Sequence, residues 1–74
     1  MYLSRLKDLR EDHDLTQDTV SQLLGISQQQ YSRYEKGEYT IPLDYLIILA
    51  KFYKTSADYI LGLTNQQKPY RHMD

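Results

Sequence analysis

Residues 15–37 read LTQDTVSQLLGISQQQYSRYEKG, and the same short phrase begins twice within them. An apolar residue, a hydroxyl residue and a glutamine occur in order at Leu15-Thr16-Gln17 and again at Ile26-Ser27-Gln28. Thr16 and Ser27 have the side chains that accept hydrogen bonds from the free N–H groups at a helix start. The apolar residue before each cap has an apolar partner five positions on, Val20 for Leu15 and Tyr31 for Ile26. That spacing is a hydrophobic staple. Gly25 and Gly37 are stop signals, because glycine accepts the left-handed conformation that ends helices. The stretch therefore predicts one helix over residues 16–24 and a second over 27–36, joined by a tight turn. Ser27-x-x-Gln30 also has the spacing of a capping box, which predicts that Gln30 reaches back to the cap's own N–H.

The second helix has two faces. Tyr31 and Tyr34 define the buried one. Gln28 and Gln29 fall in the first turn with no structural reason to be glutamine. Ser32 and Arg33 share or flank their exposed face, and Lys36 lies near its end. From this helix alone the glutamines fit a solvated face as well as a reading surface. The neighbouring helix shifts the balance. Two short helices across a glycine turn form a helix-turn-helix, whose second helix offers its N-terminal residues to base edges. The small Ser21 faces the crossing point, and Val20, Leu24, Ile26, Tyr31 and Tyr34 fill the interior.

Around this unit the 74 residues allow one small domain with a thin core. Leu3, Leu6, Leu9 and His13 mark one face of a first helix. The apolar residues of the helix over 16–24 are Val20, Leu23 and Leu24. Pro42 suits the first turn of a fourth helix, with Asp44 near its positive end. Leu43, Leu46, Ile47, Ala50 and Tyr53 are expected on the core face of that helix. Ser56 begins a short fifth helix that Gly62 ends. No strand-like alternation occurs, so the fold class is all-α, a compact bundle of five helices. Residues 1–63 form the domain. Residues 64–74 are polar and aperiodic, a loose tail or the start of a linker.

Composition excludes several function classes. The chain has no cysteine, which rules out disulfides and thiolate metal sites and fits a reducing, cytoplasmic setting. No run of about 18 apolar residues occurs, so no membrane span is expected. His13 sits near a helix C-terminus, where a capping role outweighs metal or general-base chemistry, and His72 lies in the tail. No paired-carboxylate, nucleophile–base or phosphate-loop motif is present. The chain is not expected to be an enzyme, and no metal or cofactor is expected.

With LTQ, LGIS, YSRYEKG, IPL and DYILG at these spacings, the chain resembles the lambda-repressor-like, or XRE-type, helix-turn-helix regulators of bacteria and phages over roughly residues 3–63. The resemblance implies a lambda-repressor-like bundle with its second and third helices as the helix-turn-helix. It implies a regulator, most simply a repressor, that binds a pseudo-palindromic double-stranded DNA operator as a homodimer. Gln28, Gln29, Ser32 and Arg33 match the base-reading positions. Glutamine suits adenine N6 and N7, and arginine suits guanine O6 and N7. Thr16 and Gln17 match a phosphate-binding position at a helix start. Lys36, Tyr39 and Thr40 would meet phosphates on the other side, with Lys7 a weaker candidate. Arg10 lies on the core-facing stripe of the first helix, and Glu35 beside the buried face of the third. The family pairs an arginine and a glutamate at these positions, so the two are read as a structural salt bridge rather than a DNA contact.

Two features depart from the family pattern. Tyr45, Ile48, Phe52 and Tyr59 occupy positions that are usually polar. Tyr45, Ile48 and Phe52 form a second stripe on the fourth helix. With the fifth helix around Ala57, Tyr59 and Leu61, that stripe is a candidate dimer surface, unless the domain or its tail covers it. The charge balance is also unusual. Formal net charge is −1, and residues 1–63 hold seven basic and nine acidic side chains. Asp8, Glu11, Asp12, Asp14 and Asp18 crowd the first two helices. Affinity for DNA would rest on local positive points rather than a global field. A protein-interaction module, such as an antitoxin or an antirepressor-binding adaptor, is the rival reading. In that case the aromatic stripe and the acidic helices form the working surface toward a protein effector.

Overall fold

The computed structural model describes residues 3–68, and within them the chain forms five helices and no strand. They are α1 (Ser4–Asp12), α2 (Gln17–Leu24), α3 (Gln28–Lys36), α4 (Leu43–Phe52) and α5 (Ala57–Ile60). α2 packs on α3, α1 spans both α3 and α5, and α4 closes against α5. One core runs through the bundle, made of Leu3, Leu6 and Leu9 of the first helical segment, Val20, Leu24, Tyr31 and Tyr34 of the central pair, and Ile41, Leu46, Leu49, Ala50, Tyr53 and Ile60.

The helix starts follow the sequence grammar. The hydroxyls of Thr16, Ser27 and Ser56 accept the N–H groups of Thr19, Gln30 and Tyr59 at 3.0–3.1 Å. Pro42 is the cap of α4 and precedes its first turn, while Asp44 lies within that turn as expected. The helix ends repeat one device. After α2, Gly25 (φ 72°) donates to the Gln22 carbonyl and Ile26 to that of Ser21, at 3.1 and 3.0 Å. After α3, Gly37 (φ 79°) and Glu38 bond back to Tyr34 and Arg33 in the same way. This paired bonding is a Schellman motif, and it turns the chain sharply enough to bring α3 across α2. Ser21 is buried at that crossing and donates its hydroxyl to the Asp18 carbonyl at 2.7 Å.

Three expectations are corrected. Gln30 does not complete a capping box; its amide donates to the Tyr34 hydroxyl at 2.9 Å, an acceptor one helical turn on. Leu23 is exposed, because the α2 stripe is carried by Val20, Ser21 and Leu24. On α4 the core face is Leu46, Leu49, Ala50 and Tyr53, whereas Leu43 is 65% exposed and Ile47 is also exposed. At about 100° per residue, the four buried positions cluster within one third of the helix. Leu43 and Ile47 border that cluster on one side, Tyr45, Ile48 and Phe52 on the other. The exposed Asp44 and Lys51 lie between the two borders.

His13 follows α1, its ring hydrogen-bonded to the Leu9 carbonyl at 2.8 Å and 5.0 Å from the Tyr53 ring. This is the capping role expected of it. Residues beyond α5 are held to the domain. Arg5 donates to the carbonyls of Tyr59 and Thr64 and to the Asn65 side chain, and Thr55 donates to the Gln67 carbonyl. The remainder of the expected tail, including His72, lies outside the described residues. No helix among the described residues is long and apolar enough to cross a membrane.

Candidate nucleic-acid interface

The faces of α3 follow from its period. At about 100° per residue, Tyr31, Tyr34 and Glu35 turn inward while Gln28, Ser32, Lys36, Gln29 and Arg33 form one continuous outward face. Burial divides the residues along the same line: the first three are buried, Ser32 is half-buried, and the other four are exposed. Gln28, Gln29, Ser32, Arg33, Lys36, Gln17 and Glu38 line a single open concavity of about 370 Å³. The four expected base-reading residues are thus gathered in one place. Gln17, from the start of α2, and Lys36, from the end of α3, stand with them.

A second, adjoining hollow of about 290 Å³ is lined by Lys7, Arg10, Gln17, Glu35 and Lys36. Gln17 and Lys36 border both hollows, so Lys7 is linked to the α3 groove through them. Thr16 sits apart as the α2 cap, its hydroxyl also within 3.0 Å of the Thr19 hydroxyl. Thr40 is exposed beyond the Gly37 turn and lines neither hollow. Tyr39 accepts a hydrogen bond from Arg33 Nη1 at 3.2 Å, and the guanidinium carbon stands 5.3 Å from its ring centroid.

Arg10 and Glu35 line the second hollow, beside the groove. Arg10 Nε and Nη2 donate to the two carboxylate oxygens of Glu35, both at 3.0 Å. Arg10 Nη1 donates to the Leu15 carbonyl at 2.9 Å, and the Gln17 amide donates to Glu35 at 3.3 Å. The pair therefore ties α1, the α1–α2 connection and α3 together, as a bidentate salt bridge with fixed planar geometry. Burial opposes ionisation of Glu35, but Arg10, the neighbouring Tyr31 hydroxyl and the Gln17 amide together outweigh it and hold the carboxyl below its usual range. The same hydrogen bond to Glu35 raises the Arg10 pKa. The Tyr31 hydroxyl is buried beside this carboxylate but outside hydrogen-bond geometry. Burial pushes the Tyr53 phenol up to about 12.

The residues expected at a dimer surface divide into two groups. Ile48 and Phe52 are 40% and 44% exposed, so they offer apolar area to a partner. Tyr45, Ala57, Tyr59 and Leu61 are half-buried and packed against the core. Tyr45 meets Tyr34 edge-on at 6.1 Å, and Tyr59 lies beneath the Arg5 guanidinium at 4.2 Å. Leu43 and Ile47 are exposed apolar residues that sequence reasoning had assigned to the core.

One groove residue escaped the sequence reading. Glu38 lies beyond the helical period and matches no motif, yet the Gly37 turn folds it back beside Arg33. The available signal was the glycine itself, since a Schellman turn returns the next residue toward the last helical turn.

The chain resembles known proteins along most of this length. The helix-turn-helix family model matches residues 6–60. The uncharacterized HTH-type transcriptional regulator YobD of Bacillus subtilis is 45% identical over 69 residues, which cover 93% of this chain and 62% of YobD. The cryptic phage CTXphi transcriptional repressor RstR of Vibrio cholerae is 40% identical over 53 residues, covering 72% of this chain and 48% of RstR. Antitoxin PezA of Streptococcus pneumoniae is 33% identical over 64 residues, covering 86% of this chain and 40% of PezA. The chain thus spans about half the length of these relatives. No solved structure gives a significant match.

Proposed function

The chain belongs to the lambda-repressor-like helix-turn-helix family, and from that premise we propose that it is a sequence-specific double-stranded DNA-binding transcriptional regulator. The single observation that carries this reading is the gathering of Gln28, Gln29, Ser32 and Arg33 along one groove on the outward side of α3, opposite its buried residues. An α-helix fits the B-DNA major groove, and these side chains carry the donor and acceptor pairs that distinguish base edges.

In this reading α3 enters the major groove with its first turn leading. Gln28 and Gln29 pair with adenine, and Arg33 with guanine. Thr16, Gln17, Lys36, Thr40 and Lys7 meet the flanking phosphates and set the register without reading sequence. The Arg10–Glu35 pair stays out of the interface and fixes the angle between α1 and the reading helix. The regulator acts as a repressor by occupying a promoter, a role supported by the name of RstR. It binds as a homodimer through the α4 border at Ile48 and Phe52, because two copies match the twofold symmetry of a pseudo-palindrome.

The second reading, a toxin- or effector-binding module, is supported by the name of PezA and by the exposed apolar borders of α4. The two readings share one fold and separate on one experiment. Selection of bound duplexes from a randomised library should enrich a pseudo-palindrome with half-sites about one helical turn apart. Enrichment of no sequence would favour the protein-binding module.

A further inference from the structure

We propose that Tyr39 is a positioning residue for Arg33, setting the preference at the base pair that Arg33 reads rather than contacting a phosphate itself. The inference rests on the DNA-reading function proposed above and deepens it at one position.

Three observations bear on it. The Tyr39 hydroxyl accepts from Arg33 Nη1 at 3.2 Å, and its ring lies 5.3 Å from the guanidinium carbon. The backbone fixes that meeting. After the left-handed Gly37, both Glu38 and Tyr39 donate their N–H groups to the Arg33 carbonyl, at 2.9 and 3.3 Å. The residue whose side chain is held thus anchors the segment that holds it. The groove wall beside Arg33 also carries opposite charges, Lys36 and Glu38.

An unrestrained arginine on an exposed helix face explores many rotamers and reaches phosphates of any sequence. A guanidinium held on an aromatic ring keeps its plane and loses less freedom when it pairs with a base. Tyr39 occupies one Nη1 hydrogen. The Nε and Nη2 hydrogens remain for guanine O6 and N7, the bidentate pair that discriminates guanine from other bases. Tyr39 therefore acts on selectivity through Arg33, whereas a phosphate contact acts on all sequences alike.

The test compares the base preferences of the full chain, of Tyr39→Leu, of Tyr39→Phe and of Arg33→Ala across a randomised duplex library, with affinities measured on the enriched duplex and its single-base variants. Tyr39→Leu is expected to weaken guanine preference about three- to tenfold at the position that Arg33→Ala relaxes, leaving other positions unchanged. Tyr39→Phe keeps the ring and should show a smaller loss at that same position. In an Arg33→Ala background, Tyr39→Leu should change nothing further. An equal loss on every duplex, persisting in the Arg33→Ala background, would mark Tyr39 as a direct backbone contact and overturn the proposal. So would an unchanged preference, or a change at a different position. If the unaltered chain enriches no sequence, the DNA-reading function fails and this proposal fails with it.

Discussion

Replacing Arg10 by methionine removes both guanidinium bonds to Glu35 and the bond to the Leu15 carbonyl. Among the described residues, the carboxylate then keeps the Gln17 amide at 3.3 Å as its remaining hydrogen bond. Glu35 is 4% exposed, so its charge is left largely desolvated, with water reaching it only through the hollow that it lines. Breaking one side of a buried pair costs about 3–5 kcal/mol, because a charge is left without compensation. Arg10 is 13% exposed and Gln17 remains, which places this case near the lower end, at about 3 kcal/mol. That is a large share of the roughly 4–11 kcal/mol expected for a chain of this length. It corresponds to a fall of about 12–24 °C in Tm. Urea unfolding followed by circular dichroism at pH 7 measures it. Arg10→Met with Glu35→Leu removes both charges and should return to within about 1 kcal/mol of the parent.

The pH dependence supplies a second check on the same pair. The folded state holds Glu35 below its ordinary value of 4.5. Its contribution is therefore complete above that value and is lost as pH falls through the lower, folded-state one. In Arg10→Met the unpaired carboxylate gains by protonation. The gap between parent and variant should thus narrow from pH 7 to pH 3. A loss under about 1 kcal/mol at pH 7, or an equal gap at both pH values, would show that the pair does not hold the fold in this way.

Other perturbations follow from the same geometry. Gly25→Ala places a Cβ where no atom lies within 4 Å, so its cost is conformational alone, about 1–2 kcal/mol by urea midpoint; a loss above about 3 would show a clash. Ile48→Asp with Phe52→Asp should lower the melting temperature moderately, since both side chains are partly covered and Phe52 meets Tyr53 edge-on at 5.1 Å, but should abolish cooperative operator binding below that temperature; intact cooperativity would remove the α4 border from the interface. Binding should weaken only gently with salt. With Lys7 and Lys36 as the proposed charged phosphate contacts, the expected log–log slope is about −2 per domain, and a slope near −8 would contradict the proposed interface.

The sequence made α3 legible because its two faces differ in chemistry. Tyrosines and Glu35 alternate with glutamine, serine, arginine and lysine at a period near 3.6, so the core face and the reading face separate without coordinates. α4 was not legible in that way. Seven of its ten residues are strongly apolar, and two stripes four apart fit the period equally well. Which stripe meets the core depends on how the other helices stand, and Leu49, absent from the expected core, is wholly buried. Gln30 shows a local ambiguity of another kind. Its spacing from Ser27 satisfies the capping-box rule, in which its amide oxygen would accept from the Ser27 N–H, but the side chain turns the other way and its amide nitrogen donates to the Tyr34 hydroxyl. Glu38 and the Arg33–Tyr39 contact depend on a turn rather than a period, so periodicity could not place them.

The central claim is that the first turn of α3 reads base edges. Comparing the duplex sequences enriched by the unaltered chain with those enriched by Gln29→Ala tests it most directly. Gln29 is exposed and makes no bond that the fold needs, so the variant should fold as the parent does. Preference should relax at one position and its symmetry mate, at a cost of about 1–3 kcal/mol on the parent's best site, with every other position retained. An identical preference at all positions would contradict it.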